Sequence, residues 1–296
     1  MGANLKEVRL RIKSVISTQQ ITKAMKMVSA SKLRRAQQAI VQFRPYANKQ
    51  NEMLSNILSN SDGDSSSSFG VERAVENVCI VVVTSNKGLC GAFNTYVNKA
   101  ANEVITRKYS AQLAAGKVTI LPIGKKAMEY AQRRYSGKAT VITDHFNLFA
   151  ELNFDNTALV AERLMDAFSN KEYDAIEIAY GQFKNAASQN FIVEPFLPVA
   201  KMEAQQSGRK ADFEFEPSKS QLLEHLIPSI LKSQLFKCCL DTHASEHGAR
   251  MTAMDKASEN ANELLKELKI NYNKARQEAI TKELSEIVGG AAALES

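Results

Sequence analysis

The sequence has no tryptophan, only four cysteines and only six prolines among its 296 residues. The cysteines show no framework spacing, and the adjacent pair Cys238 and Cys239 would rarely bond to each other. We therefore expect reduced thiols in a cytosolic compartment rather than a disulfide-stapled secreted fold. A run of 18 or more apolar residues is also missing, so the sequence predicts no membrane-spanning helix.

Acidic side chains are nearly absent from the first fifty residues, where Glu7 stands among eleven lysines and arginines. This end carries a net charge of +10, whereas the remaining residues sum to −4. A basic amphipathic helix has three interpretations: the solvated face of a coiled coil, a contact with an acidic protein, or a nucleic-acid or membrane surface. Charge alone leaves all three open.

A heptad pattern organises the C-terminal part of the chain. Two rows of apolar or small residues recur at seven-residue spacing: Met251, Ser258, Leu265, Tyr272 and Ala279 in one, and Met254, Ala261, Leu268 and Ala275 in the other. A seam of this kind, sustained for about four heptads, is typical of a helix that lies along another helix. Because many seam residues are small, the helix buries little area per residue and needs a partner.

The N-terminal residues predict such a partner. Residues 3–58 indicate one long helix, with Pro45 as a kink or local irregularity. We expect its apolar face to shift phase around Gln19 and Gln20. The predicted face consists of Leu5, Val8, Ile12, Val15, Ile21, Met25, Val28, Ala36, Ala39 and Phe43.

Between the two helices the sequence alternates strand and helix patterns. The β-rich runs are 78–85, 118–124, 139–143, 175–180 and 191–199, and helical patterns at 93–109, 125–135 and 152–170 separate the first four. This alternation predicts a mostly parallel sheet covered on both faces. The last connection is short, so the final strand is expected to pair antiparallel.

These patterns predict an α/β protein with long terminal helices, in which an antiparallel two-helix coiled coil carries an inserted, mostly parallel α/β domain. The expected boundaries are a helix at 1–58, a linker at 59–75, the α/β domain at 76–200, a linker at 201–217, and a C-terminal helix with a tip at 218–296. Pro228 is expected to break or kink the last helix. Aligning the arms from Ser59 and Ser218 puts the N-terminal end near Lys274, so that about twenty residues, roughly 30 Å of helix, project alone as the tip.

The turn Ser85–Ala92 (SNKGLCGA) lies between a strand and a helix, where phosphate-binding loops occur. It lacks both G-x-x-x-x-G-K-[ST] and G-x-G-x-x-G, so a Gly-rich structural turn is the favoured interpretation. We infer no nucleotide site from it, and Cys90 has no histidine near it in sequence to make it a nucleophile.

Two further patterns resemble catalytic motifs. Residues 243–247 read H-x-x-E-H, which matches an inverted zinc-protease motif and places His243 and His247 one turn apart. No third ligand is evident, so a metal site is disfavoured, with Cys238, Cys239 and Asp241 as the only nearby candidates. Glu283 and Glu286 also lie one turn apart, but an acid–base pair needs a pocket to shift its pKa values. We expect neither a catalytic site nor a cofactor.

Both ends of the chain resemble the gamma subunit of F-type ATP synthases. Residues 244–265 read ASEHGARMTAMDKASENANELL, and residues 280–291 read ITKELSEIVGGA, which fits that family's signature. The N-terminal match is ITKAMKMVSASKL at 21–33, and the family also has a GLCG turn, usually after an Asp where this chain has Asn86.

The resemblance implies the non-catalytic central shaft of a proton- or sodium-driven rotary synthase. It implies contacts with alpha, beta, epsilon and delta subunits and with the membrane c-ring, at the cytoplasmic face of the bacterial inner membrane. By motif position, Lys23 and Met25 are expected near acidic loops of beta. The opposing polar contacts implied by the resemblance are Arg250, Arg276, Gln277, Thr281 and Glu283. The competing hypothesis is a basic coiled-coil protein that binds nucleic acid, although the N-terminal helix offers only Phe43 and Tyr46 as aromatics.

Overall fold

The structure is a computed structural model that describes residues 5–59, 69–70, 73–199 and 219–294. The predicted linkers lie largely outside these residues. In chain order the elements are α1 (Leu5–Ser59), β1 (Val78–Val83), α2 (Phe93–Arg107), α3 (Ser110–Ala114), β2 (Val118–Ile123), α4 (Lys125–Arg134), β3 (Thr140–Val141), a 3-10 turn (Leu148–Ala150), α5 (Phe154–Ser169), β4 (Ala175–Phe183), β5 (Gln189–Leu197) and α6 (Lys219–Leu294). The chain forms two compact units, one of Met1–Ser29 with Met251–Ser296 and one of Ala30–Arg250.

In the first unit, α1 and α6 pair antiparallel, as predicted. Arg9 Nη2 donates to the Tyr272 hydroxyl at 2.8 Å, and further along α1 the Thr22 and Ser258 hydroxyls are 2.7 Å apart. Residue numbers rise on one helix as they fall on the other, which fixes the antiparallel direction. The contact at Tyr272 also agrees with the register that puts the start of α1 near Lys274.

The C-terminal seam matches the prediction, and the N-terminal face matches it in part. On α6, Met254, Ser258, Ala261, Leu265 and Leu268 are buried. On α1 the expected phase shift is wrong, because the heptad continues without interruption from Val8 and Val15 through polar Thr22 and Ser29.

Val8 and Ala36 are buried as predicted, whereas two apolar residues that were expected on the α1 seam face outward instead. Ile21 and Val28 are 59% and 58% exposed. Thr22 can replace an apolar residue in the seam because its hydroxyl has two partners, the Ser258 hydroxyl and the Gln19 carbonyl at 3.0 Å.

The last part of α6 is exposed. Every side chain from Ile280 to Gly290 is solvent-accessible, including Leu284, Ile287 and Val288. Among the described residues, this segment therefore carries a row of apolar side chains without a covering helix, as the expected tip does.

In the second unit a five-stranded sheet has the order β3-β2-β1-β4-β5. The pairs β1–β2, β1–β4 and β2–β3 are parallel, and β4–β5 is antiparallel. Both features were predicted. β1 is the central strand, with Ile80 opposite Ile120 on one side and Glu177 on the other.

Alternate residues of β1 supply two separate cores. Val78, Ile80 and Val82 pack under α2 and α4, whereas Cys79, Val81 and Val83 pack on the opposite face under α5 and α6. The α6 residues in this second core are Ile227, Leu231, Leu235, Cys238 and Cys239. The C-terminal helix is thus part of the α/β core as well as of the coiled coil.

Of the break or kink that was expected at Pro228, the break does not occur, because α6 is continuous from Lys219 to Leu294. α1 likewise continues through Pro45. A helix can tolerate the hydrogen bond lost at proline when packing holds it on both sides. Around Pro228 that packing comes from the buried side chains of Ile227 and Leu231.

Leu268→Ala tests the seam. The side chain is 6% exposed, so its truncation should lower the free energy of unfolding by about 2–4 kcal/mol. Ile270→Ala is the control: this neighbour on the same helix is 68% exposed, and its truncation should cost less than about 0.5 kcal/mol. Denaturant unfolding followed by helical circular dichroism measures both, and equal losses would contradict the seam.

Candidate functional site

Six of the seven residues that were expected to contact other subunits lie in the coiled-coil unit and are accessible to solvent. The seventh lies in the α/β unit. Lys23 is exposed and Met25 half-buried on α1, and Arg276, Gln277, Thr281 and Glu283 are exposed on α6. They form two separate groups, because Lys23 lies near the level of Ser258 and Arg276 lies beyond Tyr272. About eighteen residues of helix, roughly 27 Å, separate these two levels.

Arg250 is the exception, since it is 6% exposed within the α/β unit. Its Nη1 pairs with Glu246 Oε1 one turn earlier at 2.6 Å. Its Nη2 donates to the Lys87 carbonyl at 2.9 Å and to the Gly88 carbonyl at 3.2 Å, and its Nε also donates to Gly88 at 3.2 Å. The whole guanidinium group is thus bound within this unit.

This ion pair contributes to stability only if both charges and all their hydrogen bonds are present. A fully hydrogen-bonded buried ion pair changes the free energy of unfolding little relative to apolar residues. Removal of one partner lowers it by about 3–5 kcal/mol, because the other charge is left unpaired. Here the loss of Arg250 would also remove the hydrogen bonds that the Lys87 and Gly88 carbonyls accept from α6. The geometry therefore ties the 85–92 turn firmly to α6.

The backbone of the 85–92 turn explains why it binds the Arg250 guanidinium. The Ser85 hydroxyl lies 2.7 Å from the Lys87 carbonyl and 2.9 Å from Asn94 Oδ1, and its one proton serves either acceptor. The Ser85 N–H also donates to Asn94 Oδ1 at 3.0 Å, which holds the turn against the start of α2. The carbonyls of Lys87 and Gly88 point at the guanidinium, so the turn presents acceptors. A phosphate would need N–H donors at this place.

The location is the switch point of the sheet. The turn follows β1, and β1 has β2 on one side and β4 on the other, so the strand order reverses there. Open α/β sheets bind ligands in the crevice beyond the carboxyl ends of such strands. In this chain α6 lies at that place, since Ser245 Oγ donates to the Gly181 carbonyl of β4 at 3.0 Å.

Two histidines continue the polar cluster. Arg250 Nη1 is 3.2 Å from His247 Nδ1, and His247 Nε2 is 3.1 Å from His243 Nε2. A guanidinium can only donate, so His247 must accept at Nδ1, carry its proton on Nε2 and donate it to His243. Both rings are therefore neutral, and burial lowers the pKa of His243 to about 4 and that of His247 to about 3.

The H-x-x-E-H residues have uses other than metal binding. Glu246 is bound to Arg250, and burial raises its pKa. The two histidines bind each other, and His243 also stacks on Phe149 with ring centroids 6.0 Å apart. Among the described residues, no group of three or more histidine, cysteine or acidic side chains is placed to hold a metal ion.

Sequence reasoning missed the attachment of α6 to the sheet, although one residue pointed to it. Gly248 lies inside a long helix, where glycine is destabilising, and such a residue often marks a close backbone approach. A Cβ at this position would lie 3.0 Å from the Ala186 carbonyl oxygen, in the connection between β4 and β5.

The comparisons with known proteins agree with this architecture. The ATP synthase family profile matches residues 4–294. The ATP synthase gamma chain of Cytophaga hutchinsonii is 50% identical over 294 residues, covering 98% of this chain and 99% of that one. The gamma chain of Flavobacterium psychrophilum is 51% identical over 293 residues and covers 99% of both chains. This chain belongs to the ATP synthase gamma-chain family.

Solved structures support the fold. A chain of the Euglena gracilis mitochondrial ATP synthase aligns with a TM-score of 0.67 at 23% identity, over 98% of this chain and 94% of that one. A chain from the central stalk and c-ring structure of the Tetrahymena thermophila enzyme gives 0.55 at 24% identity, over 80% and 99%.

Family membership confirms the expected resemblance and the expectation of a non-catalytic subunit. The alternative of a nucleic-acid-binding protein is not supported. Members of the family belong to a membrane-associated complex, and within the described residues no helix is long and apolar enough to cross a bilayer.

The histidine pair predicts a pH dependence of stability. Below pH 6.5 the unfolded chain protonates His243 and His247, whereas the folded chain does not until about pH 4 and about pH 3. The unfolded state then binds more protons, so the free energy of unfolding falls as the pH drops from 6.5 towards 4, by up to ~1.4 kcal/mol per pH unit for each histidine.

Denaturant unfolding at pH 7 and pH 5 measures this effect, with the double variant His243→Gln/His247→Gln expected to show the flatter dependence. His225→Gln, an exposed position on the same helix, is the control and should retain the parent slope. Parallel pH dependences in the parent and the double variant would rule out a histidine origin.

Proposed function

We propose that this chain is the central rotary shaft of a proton-translocating F-type ATP synthase. In this role it couples rotation of the membrane c-ring to the conformational cycle of the catalytic sites on the beta subunits, in synthesis and in hydrolysis, and so regulates ATPase activity and proton flow. The observation that carries the proposal is the antiparallel α1–α6 coiled coil with its exposed apolar tip, in a chain of the gamma family.

The coiled coil suits a torque shaft. α6 has 76 residues, which correspond to about 114 Å of helix. A single helix of that length would bend easily, whereas a second helix packed along a continuous seam resists bending. The two helices also give the shaft a non-circular cross-section, which a rotor needs if each angle is to act differently on its surroundings.

The contacts with the stator are proposed at Lys23 and Met25 on α1 and at Arg276, Gln277, Thr281 and Glu283 on α6. These side chains are accessible, and exposed ion pairs contribute only ~0–1 kcal/mol each. Weak pairs suit a rotor, because a strong static pair would hold it at one angle. Arg250 was expected among them from the motif, but its guanidinium is already bound to Glu246 and to the 85–92 turn.

The proposed partners are the alpha, beta, epsilon and delta subunits and the membrane c-ring. The proposed location is the cytoplasmic face of the bacterial inner membrane, where the chain is held peripherally. In support, the similar gamma chains named above are bacterial, and all four cysteines are buried as free thiols.

Affinity purification of the tagged chain from membranes tests the proposal. We expect alpha and beta subunits to co-purify in a complex that hydrolyses ATP. Retention on DNA that is lost as salt increases, without these subunits, would favour the nucleic-acid alternative instead.

Met25→Lys should lower the coupling between proton flow and ATP synthesis. The substitution adds a cation beside Lys23, and a stronger ion pair with an acidic loop must then be broken at every step. We expect proton pumping per ATP hydrolysed in membrane vesicles to fall about two-fold or more. The control is Met53→Lys, at a 46% exposed position of α1 in the other unit, which should retain the parent ratio. Unchanged coupling in Met25→Lys would refute this contact.

Truncation after Ala279 tests the tip. The removed segment includes exposed Ile280, Leu284, Ile287 and Val288, which need an apolar socket from other subunits but do not belong to the α1–α6 seam. We expect a lower yield of assembled complex and little change in the melting temperature of the isolated chain. If helicity beyond the deleted residues is lost, the tip is part of the shaft itself.

A further inference from the structure

Three attachments join one short segment of α6 to the α/β sheet. Ser245 Oγ donates to the Gly181 carbonyl on β4, Gly248 lies against the Ala186 backbone, and Arg250 holds the carbonyls of Lys87 and Gly88. These positions are spaced over less than two helical turns. A rotation of α6 about its own axis would have to break all three or carry the sheet with it.

Arg250 makes the most extensive of these attachments. Its Nε and Nη2 reach the turn after β1, and its Nη1 is fixed by Glu246 and His247 on its own helix. The side chain therefore spans from one element to another with every nitrogen bound. A planar guanidinium can do this because its donors point in fixed directions, whereas a lysine ammonium acts as a single point.

The turn that Arg250 holds is exposed on its outer side, where Asn86 binds Asn147 and the Lys125 N–H. Leu89 has a φ of +62° and a side chain that is 63% exposed. Lys87 is exposed as well. A leucine in the left-handed region persists only where the surroundings determine the backbone. Here the fixed points include Ser85, the buried Cys90 and Arg250.

We propose that Arg250 is a positioning residue that fixes the 85–92 turn to α6, so that the exposed edge formed by Lys87 and Leu89 moves together with residues 245–250 of that helix. Glu246 keeps the guanidinium aimed at the turn. The part of this inference that concerns coupling rests on the proposed function, whereas the attachment of the turn does not.

Hydrogen–deuterium exchange on the full chain tests the attachment. In Arg250→Gln we expect amides between Thr84 and Asn94 to exchange at least about ten-fold faster, while those of β2 and β5 keep the parent rate. Arg107→Gln is the matched control, because it removes an exposed i,i+4 pair with Glu103 that touches no turn. Unchanged exchange at the turn, or an equal increase across the sheet, would overturn the proposal.

Arg250→Lys covers the case in which Arg250→Gln does not fold. It keeps a positive charge beside Glu246 but has no fork to hold two carbonyls, so exchange at the turn should rise at least about three-fold. Parent-like exchange at the turn in Arg250→Lys would overturn the proposal.

The assembled complex tests the consequence for rotation. Arg250→Lys should retain ATP hydrolysis, because the catalytic sites are on other subunits, and lower the protons pumped per ATP by about two-fold. A loosened turn with unchanged pumping would overturn the role of the attachment in coupling. If the chain does not assemble with alpha and beta subunits at all, the proposed function fails while the exchange result still stands.

Discussion

The need to cover a narrow apolar stripe along a very long helix governs this structure. α6 meets that need in two ways. From Met254 to Leu268 its stripe packs in a thin coiled-coil seam against α1. From Ile227 to Cys239 it packs under a parallel sheet as part of an ordinary core. Exposure of this apolar stripe to water is unfavourable. Each segment of the helix is therefore stable only where its stripe is buried against another element.

The seam combines weak packing with specific polar contacts. Thr22 and Ser258 contribute little hydrophobic energy, but their hydroxyl contact is satisfied only at one register. A single polar pair inside an apolar seam is known to specify alignment in coiled coils at some loss of stability. For a shaft, a fixed register matters more than a deep energy minimum, because a slip of one heptad would displace every surface contact.

The sequence predicted the sheet accurately because its strands are continuous apolar runs separated by clear turns. The central strand Val78–Val83 is buried on both faces, and no other element type fits that pattern. The α1 face was predicted less well, since apolar Ile21 and Val28 lie outside the seam and polar Thr22 and Ser29 lie in it. Apolar character alone does not distinguish a residue of the seam from an apolar residue on the exposed face of the helix.

Arg250 illustrates the same limit. Motif position indicated a contact with another subunit, and nothing in the neighbouring residues shows that the Lys87 and Gly88 carbonyls, more than 160 positions away, lie within reach of the guanidinium. Only the folded sheet brings them together. Glu246, one turn before Arg250, was the local sign that the charge would be neutralised on its own helix.

The crevice at the carboxyl end of β1 is filled by side chains of α6, which belong to the same chain. In related sheet architectures this place is filled by a diffusing molecule, and its occupancy depends on concentration. Here the occupant belongs to the same chain, so its effective concentration is set by the fold and does not depend on the protein concentration. The switch point of this sheet is therefore occupied by side chains of α6 as part of the fold itself.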